Sequence, residues 1–523
     1  MTSSTRKLDV LFPVPGPPPS PLSPARLSGV TYESGIALSE VLKENHEKWH
    51  IFFNEKGFHN HTSHHLLAVY YLGAKGTLLR AAYESDIAIQ RPARKSPGSI
   101  NEKNFHEHLG DENYWKAYLE FFSEVLLEKG TAATIEKYIF SPQANVEEPA
   151  PGKQPMQMQS RFLAGLLHPL IHTGYGTEFA LLGMVAEGLA QTAVHKPEAP
   201  ALVPDSLFQY VAAASVDATH ATVSYITSLL PSLSLEKVQR KAAQTATGVH
   251  ALTIVARILH DDRFSSKSIG LPIPNDEGGE EALNKVVKAV GDVLVSWADA
   301  WTVDGTSAEE VESKIEELIW TNVVLYGVGG WSGRNRSKTG KFNADFPLMH
   351  LVTSVTFLHS LVAYLSPTST SILLRSYFIN CLAWWISRGK PSLPIENFYA
   401  SVTATPAEHG APHVLPAEGV LVKEDVSPNP FLPILQTTLM HPDDHLPKCQ
   451  RALAHFAALF GARPKGTLRA LSAVSDPKAR LPGAEHLDGT LFIRVAGLTA
   501  DRLGWMREGQ ENLGWDFDGF FDS

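Results

Sequence analysis

Apolar residues recur at helical spacing along most of the chain. Four stretches show this best, because their apolar positions lie three or four residues apart: "ENYWKAYLEFFSEVLLEKG" (112–130), "LEKVQRKAAQTATGVHALTIVARILHDD" (235–262), "EEALNKVVKAVGDVLVSWADAW" (280–301) and "STSILLRSYFINCLAWWISRG" (369–389). Strand-like alternation is scarce, and "GTLFIRVAGLT" (489–499) is the clearest predicted strand. The pattern predicts a mainly α protein with little strand.

The composition of the two ends of the chain predicts its domain organisation. Residues 1–30 contain a run of prolines from Pro13 to Pro24, which predicts an extended arm, either lying on the body or disordered. Residues 31–523 contain no repeat at a fixed period and no long linker. We therefore expect a Pro-rich arm followed by one large, irregular helical domain.

Composition and charge exclude several classes of protein. A hydrophobic fraction of 44% and a charged fraction of 19% are typical of a globular protein. The net charge of −10 argues against a nucleic-acid or anionic-membrane partner, since either requires a basic face. The most apolar later stretch (351–365) is interrupted by His359 and Ser360 and is too short to cross a bilayer. Two cysteines give no disulfide framework, so we expect a cytoplasmic protein.

Histidine is unusually frequent, with 22 in 523 residues, and several histidines cluster near the starts of apolar helices. In "HNHTSHH" (59–65), His61 precedes or begins a helix predicted over 62–85, and His65 lies in its next turn. In "LLHPLIH" (166–172), His168 and His172 are four residues apart and so share a helix face.

Two more histidines occupy similar positions later in the chain. His350 comes early in the apolar helix predicted from "DFPLMHLVTS" (345–354), with Asn343 or Asp345 as the candidate cap. His445 and Lys448 lie three apart in the first turn of a helix predicted from "HPDDHLPKCQRAL" (441–453), which Asp443 or Asp444 can cap. These positions are candidates for metal binding or proton transfer.

Each position also has an ordinary structural explanation. A single histidine on an apolar helix is usually a hydrogen-bonded core residue. We expect His59 and His64 to be solvated or to cap a helix. Lys448 is either a surface lysine or a lysine beside metal-binding histidines, neutral enough to react with carbon dioxide and form a carbamate ligand.

Motifs for the common redox cofactors are absent. The Gly-rich segment "VVLYGVGGWSGRNRS" (323–337) follows a β-favouring run, but no βαβ pattern surrounds it and no helix follows to bind a phosphate. We predict that it is a loop. The chain has no Walker loop, no Gly-x-Ser-x-Gly elbow and no His-Glu-x-x-His. A redox enzyme with this sequence would not be built on flavin or nicotinamide.

The ordered set of histidine segments resembles the questin oxidase family. The matching segments are "NH" at 60–61 before an apolar helix that ends at "LGA", then "RFLAGLLHPLIHTGYG" (161–176), "LMHLVTS" (348–354) and "DDHLPKCQRAL" (443–453). The segments "HHLLAVYYLGA" and "SRGKPSLP" also resemble the fungal branch.

The resemblance implies a flavin-independent oxygenase that acts on a reduced anthraquinone, with dioxygen as co-substrate. The expected product is a Baeyer–Villiger-type lactone or a ring-opened benzophenone carboxylic acid. It implies either no metal or an iron(II) held by four histidines and a carboxylated lysine. The residues that would match are His61, His168, His350, His445 and Lys448. His65 and His172 are the substitutes if one assignment is wrong, and Pro447 is a local departure.

The expected partners are small molecules. A flat aromatic polyketide would enter an apolar pocket, for which Tyr70, Tyr175, Trp331 and Phe346 are candidate wall residues. A separate NADPH-dependent quinone reductase would supply the hydroquinone.

Three alternatives remain open on sequence alone. The same reaction could run without metal, with one or two of the catalytic candidates His65, His168, His172 and His350 acting as bases. A monooxygenase with its own NADPH domain is disfavoured by the lack of a βαβ unit. A non-catalytic helical scaffold predicts that the histidines lie far apart, each satisfied by local neighbours.

Overall fold

The computed structural model describes residues 3–208, 248–274, 276, 279–337, 339–407, 417–422 and 427–521. Within these ranges backbone pairing is limited to isolated bridges, such as Phe52 with His59, and no strand forms. The mainly α prediction is confirmed. The described α-helices are α1 (Ser3–Leu11), α2 (Tyr32–Lys48), α3 (Thr62–Tyr71), α4 (Gly76–Asp86), α5 (Trp115–Ile135), α6 (Pro142–Asn145), α7 (Met158–Phe162), α8 (Ala164–Phe179), α9 (Leu182–Val194), α10 (Ala251–Leu259), α11 (Ser266–Ile269), α12 (Glu280–Ala298), α13 (Ala308–Val323), α14 (Gly329–Ser332), α15 (Phe346–Val355), α16 (Leu358–Val362), α17 (Pro367–Ser387), α18 (Ile395–Ser401), α19 (Phe431–Leu439), α20 (Leu446–Phe460) and α21 (Leu491–Leu503).

Local sequence explains where several of these helices begin. The Ser307 hydroxyl accepts a hydrogen bond from the Glu310 N–H at the start of α13. The Asp345 carboxylate does the same for the Leu348 N–H, as predicted, and fixes the start of α15. Each bond satisfies a backbone donor that has no partner inside the helix.

Three local predictions are wrong. Residues 491–499 belong to helix α21 and not to a strand. The segment 323–337 is not a loop, because a π-helical turn (Val324–Val328) joins α13 to α14 and a 3-10 turn follows at Arg334–Arg336. The helix predicted over 62–85 is two helices, α3 and α4, separated by Gly73 with φ +90°. Of the helix predicted over 235–262, only α10 falls within the described residues.

The N-terminal region packs against the body. Helix α1 precedes the prolines, and the Phe12 ring that follows it is fully buried. Further along, the Ser360 and Ser23 hydroxyls are 2.9 Å apart. The Pro-rich segment is therefore an arm lying on the body.

Four helices that are distant in sequence meet in the middle of the molecule. Helix α8 packs on α3 and α15, and α20 packs on the same two helices. All residues of α8 except Gly165 are buried, so this helix lies in the interior. The closed ring of contacts brings together the starts of α3, α15 and α20 and the first half of α8.

Candidate metal centre

Each of these four helices contributes one histidine to a single cluster, which we call the inner cluster: His61, His168, His350 and His445. The ring centroids form a closed quadrilateral with sides of 4.8 Å (His61–His168), 4.9 Å (His168–His350), 5.1 Å (His350–His445) and 4.5 Å (His445–His61). His61 and His445 directly precede helices α3 and α20, while His350 lies in the first turns of α15. The structure therefore brings together the four histidines that the resemblance singled out.

The Nδ1 atom of each inner-cluster ring contacts an oxygen. Asp444 serves two rings, with its Oδ2 2.8 Å from His61 Nδ1 and its Oδ1 2.9 Å from His445 Nδ1. The Nδ1 of His350 lies 2.8 Å from the Phe346 carbonyl. The Nδ1 of His168 bonds the Gly165 carbonyl. A carboxylate or carbonyl oxygen only accepts, so each Nδ1 carries the proton and each neutral ring has its lone pair on Nε2.

Ring nitrogens of neighbouring inner-cluster histidines then approach each other without a proton to share. The Nε2 atoms of His61 and His168 are 2.7 Å apart, and one ring nitrogen from each of His168, His350 and His445 lies within 4.8 Å of the others. The Nε2 atoms of His350 and His445 are buried and have no hydrogen-bond partner. Lone pairs this close repel unless a cation lies between them, so the donor set fits a metal ion.

A break in helix α8 frees the carbonyl that orients His168. Gly165, Leu166 and Leu167 all have positive φ, of 54°, 56° and 68°. Gly165 is also crowded, since a Cβ there would lie 2.7 Å from His195 Cε1 and 2.8 Å from His59 Cε1. Glycine is therefore required at this position.

The electrostatic environment favours the neutral form of His61, His168 and His350. Burial, followed by the charge of Lys448, lowers the pKa of His61 to about 3. Burial and the neighbouring histidines lower the pKa of His168 and of His350 well below its usual value. A neutral imidazole is the form that binds a metal.

Lys448 and Asp444 adjoin the inner cluster. The Lys448 side chain is buried, its Nζ is 3.9 Å from Asp444 Oδ2, and burial lowers the pKa of its ammonium group. Burial would raise the pKa of Asp444, but the neighbouring His445, His61 and Lys448 hold the pKa of its carboxyl well below the usual range. The sequence suggested no role for Asp444 beyond capping, and its neighbour Asp443 does the capping instead, accepting from the His445 and Leu446 N–H groups.

A second group, which we call the outer row, consists of His64, His172, Glu187 and His46. His64 Nε2 lies 2.9 Å from His172 Nδ1, and the two Glu187 oxygens lie 2.7 Å from His172 Nε2 and 2.7 Å from His46 Nδ1. Burial would raise the pKa of Glu187, but the hydrogen bonds from His172 and His46 lower it to about 2. The carboxylate therefore accepts from both histidines, and His172 Nδ1 accepts from His64.

Two expectations about neighbouring histidines are wrong. His64 and His59 are buried and neither solvated nor capping. His64 Nδ1 has no partner, while His59 Nε2 lies 2.7 Å from His195 Nε2 and the His59 ring stacks 4.0 Å from His168. His65 is directed to Asp86, with its Nδ1 3.0 Å from Oδ2.

The predicted aromatic wall is only partly assembled at the site. The Phe346 ring lies 4.6 Å from the His350 ring and 4.7 Å from the His445 ring. Tyr175 stacks 5.2 Å from the His64 ring. The other two candidates contact residues outside these histidine groups: Tyr70 lies 6.4 Å from Phe179, and Trp331 lies 6.0 Å from Phe398.

Comparison with known proteins identifies a family that matches this chain. A family model described as questin oxidase-like matches residues 58–453. A Baeyer–Villiger oxidase of Pestalotiopsis microspora is 26% identical over 375 residues, which cover 70% of this chain and 74% of that protein. A Baeyer–Villiger oxidase of Pestalotiopsis fici is 32% identical over 164 residues, 30% of this chain and 35% of that protein. Questin oxidase of Aspergillus terreus is 30% identical over 176 residues, 33% of this chain and 37% of that protein.

The matched stretches thus span about a third of the length of the last two relatives. The family match runs from before His61 to beyond Lys448 and confirms the resemblance noted in the sequence. In the described part of the chain, no helix is long and apolar enough to cross a membrane.

Proposed function

Because this chain belongs to the questin oxidase-like family, we propose that it is a flavin-independent oxygenase acting on a reduced anthraquinone. The names of its relatives, questin oxidase and Baeyer–Villiger oxidases, support the reaction class. The close approach of unprotonated ring nitrogens, from His61 to His168 and among His168, His350 and His445, is the observation that carries the proposal.

The reaction balances with dioxygen and the hydroquinone alone. The hydroquinone gives two electrons and two protons, one oxygen atom enters between the central carbonyl carbon and the adjacent ring carbon, and the other oxygen atom leaves as water. Addition of water to the resulting lactone opens the ring to a benzophenone carboxylic acid. A separate NADPH-dependent quinone reductase would supply the hydroquinone.

The proposed cofactor is iron(II), held by His61, His168, His350 and His445. The unpartnered Nε2 atoms of His350 and His445 support this assignment. Iron(II) accepts imidazole together with a hard oxygen ligand and supplies one-electron exchange with dioxygen, which zinc does not. Asp444 and the Phe346 carbonyl hold the rings in the ligating tautomer.

We propose that Lys448 provides the oxygen ligand as a carbamate. Its buried Nζ reaches the neutral amine form more readily than an exposed lysine, because burial disfavours the ammonium ion. The neutral amine adds to carbon dioxide and loses one proton, which leaves one negative charge on the carbamate. Phe346 and Tyr175 would form apolar walls that exclude water from the aromatic substrate.

The same reaction without metal is the second candidate. The buried Nδ1 of His64 favours this candidate. Because His64 Nε2 donates to His172, Nδ1 keeps its lone pair and has no partner, so it is available as a base. The hypothesis of a helical scaffold without activity required the histidines to lie far apart. The four histidines of the inner cluster lie together, so that prediction is wrong for them.

Elemental analysis separates the first two candidates. Protein purified without added metal should contain one iron per chain, and a chelator should remove both iron and activity. Activity that persists after complete removal of iron would establish the metal-free candidate. Anaerobic mixing with chemically reduced anthraquinone, followed by dioxygen and mass spectrometry of the product, tests the reaction class. An unchanged anthraquinone skeleton would contradict it.

The carbamate has its own test. Iron loading of metal-free protein should be slow in buffer purged of carbon dioxide and should recover when bicarbonate is added. Lys448→Ala should remove this dependence and lower iron content. Equal loading with and without bicarbonate in the unaltered protein would contradict a carbamate at Lys448.

A further inference from the structure

A cavity of about 510 Å³ lies between residues 106–109 and residues 149–161. Its volume falls within the range of about 300–1,000 Å³ that is typical of small-molecule sites. The walls include the apolar side chains of Leu109 and Met156, and the ring of His108, which stacks 3.7 Å from Tyr114. The cavity therefore offers apolar and aromatic contacts to a ligand of moderate size.

Arg161 lines this cavity and is only 8% exposed. Its Nε donates to the Met156 carbonyl at 2.8 Å, and its Nη1 donates to the His195 carbonyl. These bonds use two of the five guanidinium N–H groups, and the remaining donors include both of those on Nη2. Neither partner carries a charge.

The other buried arginines of the described chain differ in this respect. Arg388 pairs with Asp345 at 2.8 Å, Arg502 pairs with Asp516 at 2.8 Å, and Arg451 pairs with Glu178. No carboxylate among the described residues forms an ion pair with Arg161. Burial lowers the pKa of Arg161 to about 10, as expected for a buried cation without a counter-charge.

The remaining charges of the cavity favour an anion. Lys153 and Arg161 line it together with a single acidic residue, Glu107, so their formal charges sum to 2 − 1 = +1 with neutral histidines. A buried guanidinium that faces a cavity has a high cost of desolvation, which an anionic ligand would offset.

The same arginine links the cavity to the candidate metal centre. Arg161 holds the backbone of His195, whose Nε2 lies 2.7 Å from His59 Nε2. The His59 ring in turn stacks 4.0 Å from His168 of the inner cluster. Arg161 is therefore connected to His168 of the inner cluster through His195 and His59.

We propose that this cavity is a second binding site, which takes an aromatic carboxylate through Arg161 and Lys153. The aromatic part of the ligand rests on the proposed function, because ring opening of an anthraquinone would yield a benzophenone carboxylic acid. The free N–H groups on Nη1 and Nη2 of Arg161 would bind the carboxylate end-on, and Lys153 at the rim would add a second positive charge. The site would receive the product as it leaves the inner cluster.

Binding of 2-benzoylbenzoate tests the proposal, with its methyl ester as the uncharged comparison. Titration calorimetry of the full-length protein should show the carboxylate binding at least about tenfold more tightly than the ester, because hydrogen bonds to charged groups are stronger than those between neutral groups. Raising the salt concentration should weaken binding of the carboxylate and leave binding of the ester unchanged. Equal affinity for the two ligands would overturn the proposal.

Two variants locate the binding. Arg161→Met should weaken carboxylate binding at least about tenfold, and Arg161→Lys should restore part of it. Because Arg161 also supports two backbone carbonyls, Lys153→Glu provides an independent test on an exposed side chain, with an expected loss of at least fivefold. Lys288→Ala, an exposed lysine on α12, should change nothing. Carboxylate affinity within twofold of the unaltered protein in both Arg161→Met and Lys153→Glu would overturn the proposal.

The titration needs neither iron nor dioxygen, so its outcome is separate from that of the turnover assay. Carboxylate binding that depends on Arg161 would stand even if the protein failed to oxidise an anthraquinone. Turnover at the inner cluster without carboxylate binding would leave the proposed function intact and overturn the second site alone.

Discussion

The inner cluster and the outer row both consist mainly of buried histidines. They differ in the partner that each histidine ring finds for its second nitrogen. In the inner cluster, oxygen acceptors take every Nδ1–H, so the Nε2 lone pairs face each other. In the outer row, Glu187 accepts from both His172 and His46, which leaves His172 Nδ1 to accept from His64 Nε2. The inner cluster brings ring nitrogens without protons close together, whereas the outer row leaves one nitrogen, His64 Nδ1, without a hydrogen-bond partner among the described residues.

The comparison shows that proximity of histidines is a poor criterion for a metal site. His64 and His172 are as close together as His61 and His168, yet their hydrogen bond needs no cation. The positions of the acceptors decide the difference, because they fix the tautomer of each ring. Asp444 and Glu187 each bridge two histidines, but Asp444 leaves lone pairs converging and Glu187 completes a chain.

Removing an inner-cluster ligand should have the largest effect. His350→Ala or His168→Ala should lower iron content to less than a tenth of that of the unaltered protein and turnover at least about 100-fold, because even outer-shell changes cost 10–100-fold. Circular dichroism should show a folded protein. His455→Ala is the control, since that buried histidine contacts the Leu22 carbonyl and the Phe456 ring and is not a member of the inner cluster. Normal iron content and rate in both ligand variants would rule out the metal centre.

The next largest effect should come from changing Asp444, the hydrogen-bond acceptor of two rings, while all four histidines are kept. Asp444→Asn replaces one carboxylate oxygen by an amide donor, so one of His61 and His445 loses its ligating tautomer. Iron affinity, measured by competition with a chelator, should fall about 10–100-fold. Asp443→Asn is a matched control, because its carboxylate caps α20 and bonds Trp515 without touching the rings. Equal affinities in the two variants would show that Asp444 does not orient the ligands.

A substitution in the outer row should lower the stability of the protein and leave its metal content unchanged. Glu187→Gln replaces two charge-assisted hydrogen bonds, which should lower the free energy of unfolding by about 1–3 kcal/mol at neutral pH. Its iron content should match that of the unaltered protein. Urea denaturation followed by circular dichroism gives the first quantity, and elemental analysis the second. A loss of iron equal to that in Asp444→Asn would erase the distinction between the two groups.

The effect of Glu187 on stability should also depend on pH. Its folded pKa of about 2 lies below the ordinary value of 4.5, so its stabilisation is complete above 4.5 and is lost as the pH falls towards 2. The stability difference between metal-free unaltered protein and Glu187→Gln should therefore narrow from about pH 7 to about pH 3.5. A constant difference over this range would mean that folding does not shift the pKa of Glu187.

Sequence alone predicted the helical class and the four residues of the inner cluster, the latter only through the family resemblance. It could not predict the outer row, because the His172 partner of His64 lies 108 residues away in the chain and the His46 partner of Glu187 lies 141 residues away. Glu187 carries no local signal, since it lies in an apolar helix whose other residues are equally buried. Whether a histidine can be buried depends on a hydrogen-bond partner for its ring nitrogens, and the fold determines which residue that partner is.

The errors in secondary structure have a related cause. In residues 489–499 the β-branched Ile493 and Val495 favour a strand, but buried Leu491, Val495 and Thr499 also repeat at four-residue spacing and pack in helix α21. The left-handed residues Leu166 and Leu167 contradict local preference altogether. Such strain persists where the surrounding structure compensates for it, and here it frees the carbonyl that orients His168.

The smallest expected effect concerns the aromatic candidates, of which only Phe346 contacts the inner cluster directly. Phe346→Leu keeps an apolar side chain but removes the ring, so we expect the KM for the reduced anthraquinone to rise about threefold to tenfold, in line with a lost aromatic contact of about 0.5–1.5 kcal/mol. Iron content should stay normal. Trp331→Phe is the comparison, because its ring packs on Phe398 instead. If both variants raise KM equally, the wall of the substrate site extends to Trp331 and proximity to the cluster does not define it.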